Sequence, residues 1–480
     1  MKKKLILIIT IAILLIAGIL LIFFMKGKKS NTSNESNTDY LAFIEEDKAN
    51  NCYIYIDKNG NLKKISNEKY KLGKNFEKNS LLVSDNSKKS VVIDSDENIL
   101  IDESYNVKNQ YRNVFTIYKN NKYGLIDMNK NEIIPATYEQ ISVSLFDNTS
   151  LKDLYIASAK NSNNTYDIYF SNKGKIASSI DLYSSPFGGE ISYYPVDGIN
   201  SGIIKYLNSN LDSIYISSKD GTVLAKSEKN GYTKVEVQKN CIAVTENSQK
   251  SIQFFDNALN LTKKIDASGS ISYAGKFVLM STKDNNSTKT DVYNEQGEIA
   301  YTHNGILSSG ETKNDKPYFY DSTKILNSEF KTIVELSNNT KVYTGSRTNH
   351  ILVKKSSSKY TAYNLDGSIA LDDITKINSD NYVKDGKTFF VCNETIVEQR
   401  ADSEPTASYP AKALNDGSNK YLFVYKDGFQ VYDLQNKSIT WDYHGDSKQP
   451  VPVSGINALL FNNAYYDYNG NKIYEKTSNK

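Results

Sequence analysis

Residues 122–141 read KYGLIDMNKNEIIPATYEQI: an apolar run, a polar turn, a second apolar run, then a proline and a short extended tail. Asp and Asn tolerate left-handed backbone and bond their own main chain, while Ile, Leu and Tyr suit a pleated surface. The stretch therefore reads as a β-hairpin turning at Asp127. The same grammar is found upstream in YIYIDKNGNL (53–62) and SVVIDSDENILI (90–101). Downstream it returns in DIYFSNKGKI (167–176), SIYISSKDGTVL (213–224), SIQFFDNALNL (251–261) and DVYNEQGEI (291–299). TAYNLDGSI (361–369), FQVYDLQNKSI (429–439) and AYYDYNGNKI (464–473) complete the series.

With Asp57, Asp94, Asp127, Ser171, Ser217, Asp256 and Asn294 as markers, the spacings are 37, 33, 44, 46, 39 and 38. Recurrence near forty residues, without helical periodicity, is the mark of a propeller or solenoid. The expectation is an all-β, β-propeller-like repeat domain over residues 40–480. At roughly 40 to 45 residues per blade that span holds about ten units, above the usual 4 to 8 of one propeller. Two smaller propellers or an open β-solenoid are the alternatives, with a candidate boundary at GETKNDK (310–316). PVDGIN (195–200) and PVSGIN (452–457) read as equivalent blade corners.

The segment from Asn121 to Ile141 resembles a WG-type repeat. Gly124, Asp127, Ile133, Ile134, Pro135, Tyr138 and Glu139 stand in that family's places, while Tyr123 replaces its Trp and Asn131 its turn Gly. The resemblance covers about twenty residues and implies stacked β units; it carries no activity.

The N-terminus has its own logic. Lys2, Lys3 and Lys4 precede an uncharged run from Leu5 to Met25, the length a helix needs to span a bilayer. Phe23, Phe24 and Met25 occupy the places where a cleaved signal peptide has small residues, so the run reads as an uncleaved signal anchor. Residues 1–4 are then a cytoplasmic stub, 5–25 a transmembrane segment and 26–39 a polar linker too poor in apolar side chains to fold. The repeat domain at 40–480 is placed outside the cytoplasm, on the cell membrane, by a single early span and a slight positive-inside bias. Asn31 and Asn34 match a glycosylation triplet, which chance explains in a chain this rich in Asn and Ser.

Charge is balanced, 58 basic against 55 acidic residues, and the arginines are only Arg112, Arg347 and Arg400. Nucleic acid is not indicated as a partner, since base and phosphate recognition favours the guanidinium fork. Cys52, Cys241 and Cys392 are distant from one another and read as small buried hydrophobes. His303, His350 and His444 lie in polar, loop-like contexts outside metal-binding spacing, and read as surface or turn residues.

Asp94, Asp96 and Asn98 imitate positions 1, 3 and 5 of a calcium loop. Ile99 and Tyr105 stand where that loop needs its Gly and Glu. Asp127 fails likewise, with Glu132 and Tyr138 at those places. Both segments read as turns, and SSPFGGE (184–190) as a wide turn rather than a phosphate loop. No catalytic, cofactor or metal residue is assigned.

The surplus is aromatic, with 36 Tyr and 18 Phe beside the single Trp441. Most belong in strand cores. TWDYHGD (440–446) is the first place to look for an aromatic carbohydrate- or peptide-binding face. An anchor, a spacer and a large scaffold together point to a membrane-tethered binding protein whose partner is a protein or cell-envelope polymer. A carboxylate hydrolase or lyase with its site in the propeller channel, and a plain structural spacer, are the alternatives.

Overall fold

In the computed structural model, residues 41–476 are described except 58, 73–75, 77–79, 86–88, 147–150, 152–153, 172, 184–190, 230–232, 239–240, 247–248, 285–286, 346–347, 379, 402, 407–410, 415–418, 446–448 and 454–455. The expected anchor and linker, the 184–190 turn, Arg347 and Asp446 lie outside the described residues. No helix among the described residues is long and apolar enough to cross a membrane.

The described chain forms twelve antiparallel sheets in sequence order, eleven of four strands and the first of three. They span 41–66, 70–101, 107–138, 140–180, 192–227, 234–267, 270–304, 308–335, 341–374, 376–398, 411–444 and 451–475, and are numbered blades 1 to 12 in that order. Within each four-stranded blade the strands pair with their sequence neighbours, as tight hairpins require.

Successive blades are joined face to face by one apolar cluster each. Val92 and Ile101 of blade 2 meet Val107, Phe115 and Ile126 of blade 3, and the pattern continues around the chain. A final cluster packs Ala42, Ile44, Cys52, Ile54 and Ile56 of blade 1 against Ile456, Ala458 and Tyr465 of blade 12. The Tyr465 hydroxyl donates to the Ile44 carbonyl, and the Tyr474 hydroxyl donates to Glu45. The sheets thus close into one twelve-bladed β-propeller.

Two propellers or an open solenoid are not what forms. The 310–316 segment is the connection between the first two strands of blade 8, not a boundary. No strand is shared between the two ends of the described chain; closure is by burial of faces. The expectation of about ten units fell short because it assumed 40 to 45 residues per blade, whereas many blades here are shorter, as 308–335 and 376–398 show.

All ten quoted hairpins are the last two strands of a blade, one per blade. Their turn is stereotyped. The Asp127 carboxylate accepts from the Asn129 and Asn131 main-chain N–H groups and from the Asn131 amide, at 2.8 Å each. Asp57, Asp94, Asp256 and Asp467 make the same three bonds. At Asp256 the Asn260 amide, then the Asn260 N–H, hold the carboxyl below its usual range. These oxygens are engaged in turns before they are available to anything else, including the calcium-like Asp94 and Asn98 pair.

The third residue after the marker has positive φ: +87° at Gly60, +65° at Glu97, +67° at Lys130 and +84° at Gly470. It leans on the fourth strand of the preceding blade. A Cβ at Gly470 would stand 3.0 Å from the Trp441 ring, and one at Gly60 3.4 Å from Ile473. PVDGIN and PVSGIN are both first-to-second-strand corners, of blades 5 and 12, so they are equivalent.

The WG-like segment has its own explanation. Tyr123 pairs with Tyr138 and Leu125 with Ile134, so Gly124 alone opposes residues 135–137. A Cβ at Gly124 would lie 2.9 Å from Ile134 O and Ala136 N; only glycine admits that bulge. Pro135 is tolerated because it lies in the last strand of the blade, at an edge.

Tyr138 then reaches into blade 4, its hydroxyl 2.8 Å from Asp167 Oδ2 and 2.7 Å from the Tyr169 hydroxyl. Burial, then these two partners, push the Tyr138 phenol upward from its ordinary pKa. Tyr138→Phe should cost about 1 kcal/mol by leaving the buried Asp167 short of a donor. A fall in urea midpoint with unchanged slope checks this; an unchanged midpoint contradicts it.

Middle strands are buried on both faces. Tyr166–Phe170 is buried throughout, because odd and even residues serve different clusters: Tyr169 faces blade 3, while Ile168 and Phe170 face blade 5. Fourth strands are the most open, with Ile99, Val223, Leu261, Ile299, Ile369 and Ile439 each standing exposed at the start of one.

Candidate functional site

The three histidines diverge. His444 is exposed and His303 half-buried, its Nε2 3.5 Å from Asp321 Oδ2. His350 contradicts the surface reading: it is only 3% exposed, with Nδ1 3.1 Å from the Tyr382 hydroxyl. The polar neighbours that suggested a loop are themselves buried, Thr348 and Asn349 lying just before the second strand of blade 9. Among the described residues His350 Nε2 has no hydrogen-bond partner, and burial outweighs the nearby Glu394 backbone to lower its pKa below the ordinary value.

The sign of the pH effect follows. The unfolded chain takes up a proton below about pH 6.5, while the folded chain resists it. Stability from this site is therefore complete above that pH and is lost as pH falls below it, by up to about 1.4 kcal/mol per pH unit. His350→Gln should flatten the midpoint-versus-pH curve between pH 5 and 7. A curve unchanged in that variant contradicts the assignment.

Around His350 the ring carries an extra strap. The 312–316 connection of blade 8 passes blade 9 to reach blade 10, with Lys313 N donating to Thr348 O at 2.9 Å and the Asn314 amide to Asn393 at 2.6 Å. Lys316 pairs with Glu394, and Lys313 lies 3.4 Å from Asp380. Here non-neighbouring blades are held together.

The second constellation is the TWDYHGD segment, and its anchor is Arg400, which follows the last strand of blade 10. The Arg400 side chain is 8% exposed, with its guanidinium 4.6 Å from the Tyr425 ring centre. It donates to Asp427 at 2.8 Å, to Asp442 at 2.9 Å, to Ser403 Oγ at 2.8 Å and to the Tyr443 carbonyl at 3.3 Å. The network continues from Asp442 to Gln430 at 3.1 Å and from Gln430 to the Tyr425 hydroxyl at 3.1 Å. For Asp427, burial opposes ionisation, but the Arg400 charge and the Ser403 hydroxyl prevail and its carboxyl titrates low.

Gly428, at φ +140°, lets the chain fold against this arginine-held strand. A Cβ there would lie 2.0 Å from Tyr443 O. Trp441 is interblade packing, edge-on to Phe429 at 4.7 Å and tilted against Tyr466 at 5.1 Å. Tyr443 stacks on Phe429 at 5.2 Å and meets Phe461 edge-on at 4.7 Å.

Beside Tyr443, between blades 11 and 12, opens a cleft of about 580 Å³. One wall is Tyr443, Val451, Leu460 and Phe461; the rim is the amides of Gln449, Asn462 and Asn463. Sequence reading found Tyr443 through its aromatic neighbours. It missed Arg400, whose one signal was being a rare arginine in a lysine-rich chain, and the rim amides, which resemble any other Asn-rich turn.

No family model and no curated protein matches this chain. Among solved structures 683 chains match. A computationally designed Ika8 protein matches at 10% identity over 77% of this chain and 95% of its own, with a TM-score of 0.20. BamB from Moraxella catarrhalis matches at 12% identity over 68% and 94%, TM-score 0.18. The extracellular domain of a putative one component system from B. thetaiotaomicron matches at 10% identity over 92% and 78%, TM-score 0.18. The twelve-bladed ring rests on the strand pairing and face packing described above.

Proposed function

We propose that this chain is an extracytoplasmic binding scaffold, held at the cell membrane by residues 5–25, that captures a protein or cell-envelope polymer in the cleft between blades 11 and 12. The observation that carries the reading is the cleft itself, where the apolar side chains of Tyr443, Val451, Leu460 and Phe461 meet the polar Gln449, Asn462 and Asn463. Its walls are fixed by Arg400 on one side and by the blade 11–12 core on the other, so little ordering cost attends binding.

The test is cosedimentation of the full chain, in a detergent without a sugar headgroup, with the insoluble envelope fraction of the producing cells. Val451 is 57% exposed, so Val451→Arg places a charge at the cleft mouth with little effect on folding. The variant should bind about tenfold more weakly or worse; binding equal to that of the unaltered chain contradicts the proposal. Protease treatment of intact cells checks the topology: the ring should be digested, and its survival would reverse the orientation.

A further inference from the structure

Resting on the cleft as the binding site, we infer that its ligand is a neutral saccharide segment, bound with a sugar ring against Tyr443 and its hydroxyls on the amides of Gln449, Asn462 and Asn463. Three observations converge. First, the lining carries no charged side chain among the described residues. Asp427 and Asp442 are turned to Arg400, and that guanidinium spends its donors on them, on Ser403 and on the Tyr443 carbonyl. A charged polymer or peptide terminus would find no counter-ion among the described lining residues, which favours a neutral ligand.

Second, the rim offers primary amides. Each supplies donors and an acceptor side by side, which matches a hydroxyl that both donates and accepts. None of the three side-chain amides has a hydrogen-bond partner among the described residues, and all three residues are exposed. Asn462 and Asn463 are also preset. At φ +49° and +61° they form the two-residue turn between Ala458–Phe461 and Ala464–Asp467, and the Lys476 N–H donates to the Asn463 carbonyl. The amides therefore project from a rigid hairpin tip.

Third, Tyr443 is a platform packed from behind. Phe429 and Phe461 hold its ring, and its hydroxyl end lies over Gly445, where a Cβ would stand 2.5 Å from the oxygen. An aromatic ring presents an apolar face to the C–H side of a pyranose, while hydroxyls around the sugar edge reach polar partners. The volume, about 580 Å³, lies within the range of small-ligand sites and suits a short segment rather than a folded domain.

The experiment is calorimetric or saturation-transfer titration of the full chain, in the same sugar-free detergent. The probes are chitotetraose, maltotetraose and cellotetraose, with tetragalacturonate as the charged arm and an uncharged tetrapeptide as the peptide arm. At least one neutral tetrasaccharide should bind with a Kd of about 1 mM or below. Tyr443→Ala and the Asn462→Ala/Asn463→Ala pair should each weaken it about tenfold, while Tyr443→Phe retains most of the affinity. Val451→Arg, at an exposed position, gives the same loss without touching the core. Binding of no neutral saccharide, or preference for the charged or peptide arm, overturns the saccharide assignment. If that happens while Val451→Arg still abolishes envelope binding, the scaffold reading stands with another ligand; if Val451→Arg affects neither, both readings fall.

Discussion

Gly428→Ala is expected to lose about 3 kcal/mol of stability and, with it, the cleft. At φ +140° the position lies where side chains are essentially confined to glycine, a cost of about 1–3 kcal/mol alone. The added Cβ would fall 2.0 Å from the Tyr443 carbonyl, a backbone atom on the paired strand that cannot rotate away. Gly428 pairs with His444 and Phe429 with Tyr443, so relief must come from sliding the strand that carries the platform ring. Both stability and binding should therefore fall together. Gly174→Ala and Gly386→Ala are the controls: both have positive φ, +74° and +79°, but nothing within 4 Å of the added carbon. They should cost only the left-handed penalty of about 1–2 kcal/mol and leave the cleft intact. Equal losses at Gly428 and Gly174 in urea titrations would contradict the close-approach argument.

Arg400→Met should cost about 2 kcal/mol, and much of that through blade registry rather than charge. The carboxylates of Asp427 and Asp442 are 51% and 38% exposed, so solvent screens each ion pair and neither deserves the weight of a buried bridge. What the substitution removes is a planar donor that bonds two carboxylates, a hydroxyl and a carbonyl while covering the Tyr425 ring. Arg400→Lys should recover less than half the loss, because an ammonium cannot span Asp427 and Asp442 from one buried point. Full rescue by Lys, read as the denaturation midpoint, would mean that charge alone mattered.

The hairpins were legible because their turns follow local chemistry. An Asx residue that bonds the N–H groups two and four positions on is written in five consecutive residues, as Asp127 to Asn131 shows. Of the two blades that sequence reading passed over, blade 8 keeps that turn, Asn327 accepting from the Glu329 and Lys331 N–H groups at 3.0 Å, but its flanks hide it, and blade 10 lacks it. In blade 8 the marker Asn327 follows a strand of only three residues, Lys324–Leu326, and Phe330 rather than Gly takes the positive φ. In blade 10 Cys392 and Thr395 flank a two-residue turn, Asn393–Glu394, which leaves no room for the loop.

Closure was not legible, because it depends on which alternate residues of a doubly buried strand face forward or back. Nothing local distinguishes Ile54, which meets blade 12, from Tyr55, which meets blade 2. His350 was misread for a related reason: a run of Thr, Asn and His looks like surface unless the strap from blade 8 is known to cover it. The site was half visible. Tyr443 stood out among aromatics, but Gln449, Asn462 and Asn463 gain meaning only when the hairpin tip of blade 12 is set beside blade 11.

Closure of one ring by blades 1 and 12 is the claim on which the rest depends, and a paired cysteine substitution tests it directly. Glu45 and Tyr474 are in hydrogen-bond contact across the seam, 429 positions apart, and both side chains reach solvent. Glu45→Cys with Tyr474→Cys, treated with a short bifunctional maleimide that spans the length of the two lost side chains, should give a monomeric chain with one intramolecular cross-link and faster denaturing electrophoretic migration, while each single variant remains unlinked. Adducts confined to single cysteines, or cross-links found only between chains, would contradict a closed twelve-bladed ring.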